Sequence, residues 1–127
     1  VYKRQSMANT FKVFTIANVA VDTNTFSTLY TAGTGVTAVV LGLNICNKAA
    51  AEEDVTVKLT SNTSNRTGAN DAANVNVTLL NEVVIPADST LEVFAGQKIV
   101  VETTDVITIG AKTASKLDAT LSVMEIT

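Results

Sequence analysis

The segment VTAVVLGLNICNKAAAEEDVTVKLTS, residues 36–61, decides how the rest of the chain is read. Its first part, 36–46, is apolar with a period of two. Strict alternation puts Val39, Leu41, Leu43 and Ile45 on one face and Val36, Ala38, Val40, Gly42, Asn44 and Cys46 on the other. That second face is small and mostly apolar. The strand is therefore expected to be covered on both sides, either at the centre of the domain or against another subunit. Residues 47–54 suffice for one helical turn, too short to stand alone. The run 54–61 then alternates cleanly, with Val55, Val57 and Leu59 inward and Thr56, Lys58 and Thr60 outward.

The same period recurs on both sides of this segment. In 74–80 it predicts Val75, Val77 and Leu79 inward, and in 89–95 Leu91 and Val93. Residues 98–110 read as a tight hairpin, and 117–126 places Leu117, Ala119, Leu121 and Val123 on one face. Two further strands are expected before Thr31. The fold class is all-β: a single β-sandwich, jelly-roll-like, of about nine short antiparallel strands. Composition agrees, with 18 Val and 20 Thr, both favoured in strands. Pro86 falls at a strand end, and Gly33, Gly35 and Gly96 fall in turns. Residues 61–74, SNTSNRTGANDAAN, have no apolar period and read as a long loop. Asn62, Asn65, Arg66, Asn70 and Asp71 are its candidate contact residues.

The opening residues VYKRQ raise a separate question. Written as codons, GTG TAT AAG AGA CAG, they match the end of a transposon adapter used in preparing sequencing libraries. Residues 1–6 are thus expected to be a non-native, adapter-derived leader or a disordered arm, with a single domain over 7–127. The adapter match also hints at an environmental DNA assembly.

Chemistry is limited by what is missing. The chain has no His, no Trp and one Cys, Cys46. Ser-His-Asp and Cys-His nucleophiles are excluded, as are the His and multiple Cys ligands that zinc prefers. Cys46, within an apolar run, reads as a small buried hydrophobe. Nothing in the sequence selects a catalytic pair from the 12 carboxylates. Glu52, Glu53 and Asp54 read as a solvated turn, and Asn70, Asp71 and Asn74 lack the acid density of a calcium site. The Asn-x-Ser/Thr triplets at 62, 65 and 76 are what an Asn- and Thr-rich chain contains by chance. Net charge is −3, and Lys and Arg do not cluster with aromatics, which argues against nucleic acid as a partner. No run approaches the ~18 apolar residues of a membrane span. No enzyme activity, cofactor or metal site is expected.

What is left is apolar surface. Phe14 and Ile16 lie opposite Phe11, Val13, Val19 and Val21 on an alternating strand. With the two-sided strand 36–46, this is more apolar surface than one inner layer needs, and a homo-oligomer is expected. The candidate subunit interface is Phe14, Ile16, Val36, Ala38 and Val40.

The run LYTAGTGVTAVVLGLNICNKAAAEEDVTVKL, the run VIPADSTLEVFAGQKIVVETTDVITI and the ending LDATLSVMEIT resemble small virion structural proteins of tailed phages, of marine and cyanobacterial type. Asp88, where Gly is expected after Pro-Ala, and the 61–74 loop depart from that pattern. The resemblance implies a building block of the particle with no activity and no catalytic residues. The expected role is an oligomeric exterior decoration or capsid-stabilising component in the virion, assembled in the host cytoplasm. Its partners would be itself and other virion proteins of capsid, neck or tail. The alternative expectation is a tail, neck or fibre component, including a module binding glycans or the host surface. Lack of Trp weighs against glycans.

Overall fold

A computed structural model describes residues 9–21, 26–61, 76–94 and 96–127. The expected leader and the candidate contact residues Asn62, Asn65, Arg66, Asn70 and Asp71 lie outside the described residues. Nine strands are described: β1 (Asn9–Ile16), β2 (Ser27–Thr31), β3 (Thr37–Asn47), β4 (Glu53–Thr60), β5 (Asn76–Ile85), β6 (Thr90–Val93), β7 (Ile99–Val101), β8 (Val106–Ala111) and β9 (Leu117–Ile126). They form two antiparallel sheets. The first has the order β1-β9-β3-β6, with β7 also paired to β3; the second has the order β2-β8-β4-β5. The protein is a β-sandwich. Its core is a layer of Val, Leu, Ile and Ala: Val40, Leu43, Ile45, Leu117 and Leu121 from the first sheet meet Leu29, Val55, Val57, Ile107 and Ile109 from the second. Each such side chain contributes about 1.5–3 kcal/mol by leaving water.

The central strand departs from strict alternation. Val40 stands opposite Val123 and Gly42 opposite Ser122, so Leu41 is one residue too many for the ladder. A one-residue bulge exchanges the two faces of everything beyond it. Ala38 and Val40 before the bulge, and Leu43, Ile45 and Asn47 after it, all face the core and are buried. Leu41 is exposed, and so is Cys46, which corrects its expected burial. The bulge absorbs the apparent two-sidedness of 36–46.

Three other expectations change. Residues 98–110 are not a hairpin, because β7 joins the first sheet and β8 the second. The turn between them carries the chain across the sandwich. Asp105 N–H donates to Glu102 O at 2.9 Å, and Ala32 N–H to Asp105 O at 3.0 Å, tying the turn to the end of β2. In β5, Val77 stands opposite core-packed Leu59 yet is exposed, Val84 is exposed, and Ile85 is buried. Residues 47–54 form no helical turn. The amide of buried Asn47 donates to the carbonyls of Ala51, Ile85 and Pro86 at 2.9, 3.0 and 3.2 Å, and its Oδ1 accepts from Ala49 N–H at 2.9 Å. These bonds hold the loop open. Of the three turn glycines, Gly35 and Gly96 take positive φ, where a side chain would be strained.

The inner and outer residues of β1 follow from its regular pairing with β9. Thr10, Lys12, Phe14 and Ile16 stand opposite Glu125, Val123, Leu121 and Ala119, all core-facing. After Ile16 the chain bends, with Asn18 at φ 59°, and Val19 N–H donates to Leu117 O at 2.8 Å. Val19 therefore enters the core although alternation groups it with Phe11 and Val13.

Candidate functional site

Among the described residues no three His, Cys, Asp or Glu side chains come together as a metal site. Polar hollows occur at the 49–53 turn, lined by Glu52, Glu53, Thr113 and Lys116, and on the second sheet, where the Lys58 ammonium lies 4.5 Å from the centre of the Phe26 ring. Neither gathers a nucleophile with a base. The feature with chemical consequence is the outer face of the first sheet.

Cross-strand partners share a face, so the ladder registers build this surface row by row. Phe11, Met124, Val39 and Val100 form one row across β1, β9, β3 and β7. Asn9, Ile126 and Thr37 form the row on one side of it, and Val13, Ser122 and Gly42 the row on the other. The next row is Thr15, Thr120, Asn44 and Glu92. The first three rows contain no charged residue. Phe11 is 71% exposed, Val13 61%, Val100 54% and Leu41 38%. Beside them a hollow of about 350 Å³ is lined by Leu41, Gly42, Asn44, Glu92, Phe94, Thr120 and Ser122. Gly42 deepens it, for a Cβ there would meet nothing within 4 Å. Such a surface recognises by shape and apolar contact.

The residues first expected at the interface lie elsewhere. Ala38 and Val40 are fully buried in the domain's own core. Phe14 and Ile16 are half-buried and pack against that core; Val36 is also half-buried. The inward placement of Ala38, Val40, Phe14 and Ile16 follows from the registers of β3 and β1, and it removes Ala38 and Val40 from any surface contact. The surplus apolar surface exists on the opposite side, at Phe11, Val13, Val39, Leu41 and Val100. No pattern in the sequence marks the bulge. Gly42 beside it is the one residue that could have prompted the question.

A charged network fixes β1 from within. Tyr30 Oη on β2 donates to Glu125 Oε2 on β9 at 2.6 Å, and Lys12 Nζ on β1 lies 2.9 Å from Glu125 Oε1. The Phe14 ring covers Tyr30, with centroids 4.8 Å apart and planes at 59°. Burial pushes the Tyr30 phenol well above its ordinary range, and the bond to Glu125 and its charge push it the same way. The hydrogen bonds from Lys12 and then from Tyr30 hold the Glu125 carboxyl below its usual value. Asp118 is likewise lowered, first by Asn18 N–H at 2.9 Å and then by Lys48 at 3.1 Å.

A folded-state carboxyl pKa below the unfolded value stabilises the protein above the unfolded pKa, about 4.3 for Glu, and that stability is lost as pH falls through the folded value. Glu125→Gln is therefore expected to flatten the acid limb of stability against pH, measured by urea unfolding from neutrality to below pH 4. Tyr30 has the opposite sign: its contribution is complete below about pH 10 and declines as pH rises further. In Tyr2→Phe protein the phenolate absorbance is expected to rise only with unfolding.

Comparison with protein-family models, with curated proteins and with solved structures finds no match to this chain.

Proposed function

We propose that this protein is a non-enzymatic structural component of a phage virion: an oligomeric exterior decoration or capsid-stabilising subunit that acts by docking. The observation that carries the reading is the uncharged, apolar band across the outer face of the first sheet, Phe11–Met124–Val39–Val100. A domain whose inner layer is already filled leaves such a band uncovered only at a cost in solubility, and burying it against other chains removes that cost.

Strand order supports the same reading. β6 and β7 lie end to end along β3 and can be taken as one interrupted strand. Renumbered so, the sheets run 1-8-3-6 and 2-7-4-5, the arrangement of a jelly roll, which recurs in viral capsid domains. The resemblance of most of residues 28–127 to small virion proteins agrees.

The test is quantitative mass spectrometry of purified particles from a phage encoding this chain. Hundreds of copies per particle are expected for a decoration protein. A few dozen or fewer would move it to the neck or tail. Absence from particles would overturn the virion reading.

A further inference from the structure

We infer that two copies of this chain pair through the outer face of the first sheet, about a two-fold axis, with Phe11 of each copy seated in the Gly42 hollow of the other. The inference rests on the reading of that face as a contact surface and adds its occupant and its geometry.

The same face carries both a projection and a receptacle. Among the described residues Phe11 is the most exposed large apolar side chain, at 71%. The hollow of about 350 Å³ beside Gly42 is ample for a benzyl group, since a cavity of about 150 Å³ accepts benzene. Leu41 and Phe94 give it apolar walls, and Asn44, Glu92, Thr120 and Ser122 a polar border. Phe11 and Gly42 are two strands apart across β9 and one row apart along it. At sheet spacings that is roughly 12 Å. A two-fold axis midway, near Ser122 and Met124 of β9, superposes each projection on the opposite hollow. An isologous contact requires this reciprocity, in which residue i meets j and j meets i.

Area and charge also favour a second copy. The exposed parts of Phe11, Val13, Leu41 and Val100 sum to roughly 400 Å² at ordinary side-chain areas, Phe alone being on the order of 200 Å². A standard interface buries about 800 Å² per partner and is about 57% apolar, so a centre of this size with a Thr, Ser and Asn border matches one such interface. The chain carries a net −3, which would oppose self-association through a charged surface. The rows of Asn9, Phe11 and Val13 hold no charge, and the carboxylate of Glu92 stands at the border of the hollow, one row beyond Gly42, so charge is kept to the edge of the contact.

The experiment uses the full chain and light scattering coupled to size exclusion. Wild type is expected at twice the chain mass. Phe11→Ser and Gly42→Leu are each expected to remain folded by circular dichroism. Phe11 is exposed, and a side chain at Gly42 enters open space without positive φ. Each is expected to weaken the dimer about 100-fold or more, as loss of an aromatic anchor does when it counts twice. Mixing the two variants is expected to restore a dimer. One contact then places Ser at position 11 against a filled hollow, and the other places Phe11 in an open one. Ser122→Leu provides a second way to fill the hollow should Gly42→Leu lose its fold. A monomeric wild type, or variants that dimerise unchanged, or a dimer that mixing fails to restore, would overturn this pairing. A monomeric wild type found in many copies on particles would reject the pairing while the virion reading stood. An intact dimer absent from particles would reject only the virion reading.

Discussion

Val40→Asp abolishes the cooperative fold: its circular dichroism is expected to lose the β signature, and its thermal transition to disappear. Val40 is fully buried, and the neighbouring inward side chains Ala38, Val101 and Val123 are apolar. Lys12, in the same inward row beyond Val123, is already paired with Glu125. An unpaired charge at such a site costs several kcal/mol even after its pKa rises. Domains of this size have only about 5–15 kcal/mol of stability in total. Strict alternation in 36–46 predicts the contrary outcome, a folded chain of reduced mass, because it places Val40 on a contact face. Leu41→Asp is the control. Its side chain lies on the outer face, outside the domain's own core, and the fold is expected to survive. A folded Val40→Asp would mean that the bulge is misplaced.

The second large effect is a contrast within two residues. Leu43→Ala is expected to destabilise by about 3 kcal/mol, within the range for a large core side chain cut to Ala. Leu41→Ala should cost less than about 1 kcal/mol, as surface truncations do. Simple periodicity gives the two leucines the same face and the same penalty. The structure separates them, since Leu43 is opposite core-facing Leu121 and Leu41 has no partner in the ladder. Urea unfolding of both variants, with unchanged slopes, measures the difference directly. Equal losses would restore the uninterrupted strand and return Val40 to the surface.

These two predictions show where the sequence is legible and where it is not. The 117–126 run needed no correction: Leu117, Ala119, Leu121 and Val123 face the core, because β9 lies inside its sheet with regular neighbours on both sides over most of its length. The same holds for Val55 and Val57 in β4. Edges and crossings were harder. The 98–110 segment looks like a hairpin because a short turn between apolar strands serves equally well within a sheet or between sheets. The pairing of β7 with β3 and of β8 with β2 and β4 distinguishes the two. Val77 in β5 keeps an inward ladder partner, Leu59, yet is exposed at the start of an edge strand, a position that period does not encode.

The site followed the same division. That the chain has apolar surface to spare is visible in its composition and period. Its location is not. Phe14, Ile16, Val36, Ala38 and Val40 were the natural candidates, and the structure instead exposes Phe11, Val13, Leu41 and Val100. Each row of that surface joins residues far apart in the chain, Phe11 to Met124 and Val39 to Val100.

By itself the sequence determined an all-β sandwich with a Val, Leu and Ile core and no histidine, because composition and a two-residue period are local properties of the chain. The tertiary structure decided which face of each strand is inside, and so which residues another molecule can touch. A single unpaired residue in β3 reverses that choice for everything beyond it, and only the pairing with β9 reveals that the residue is there.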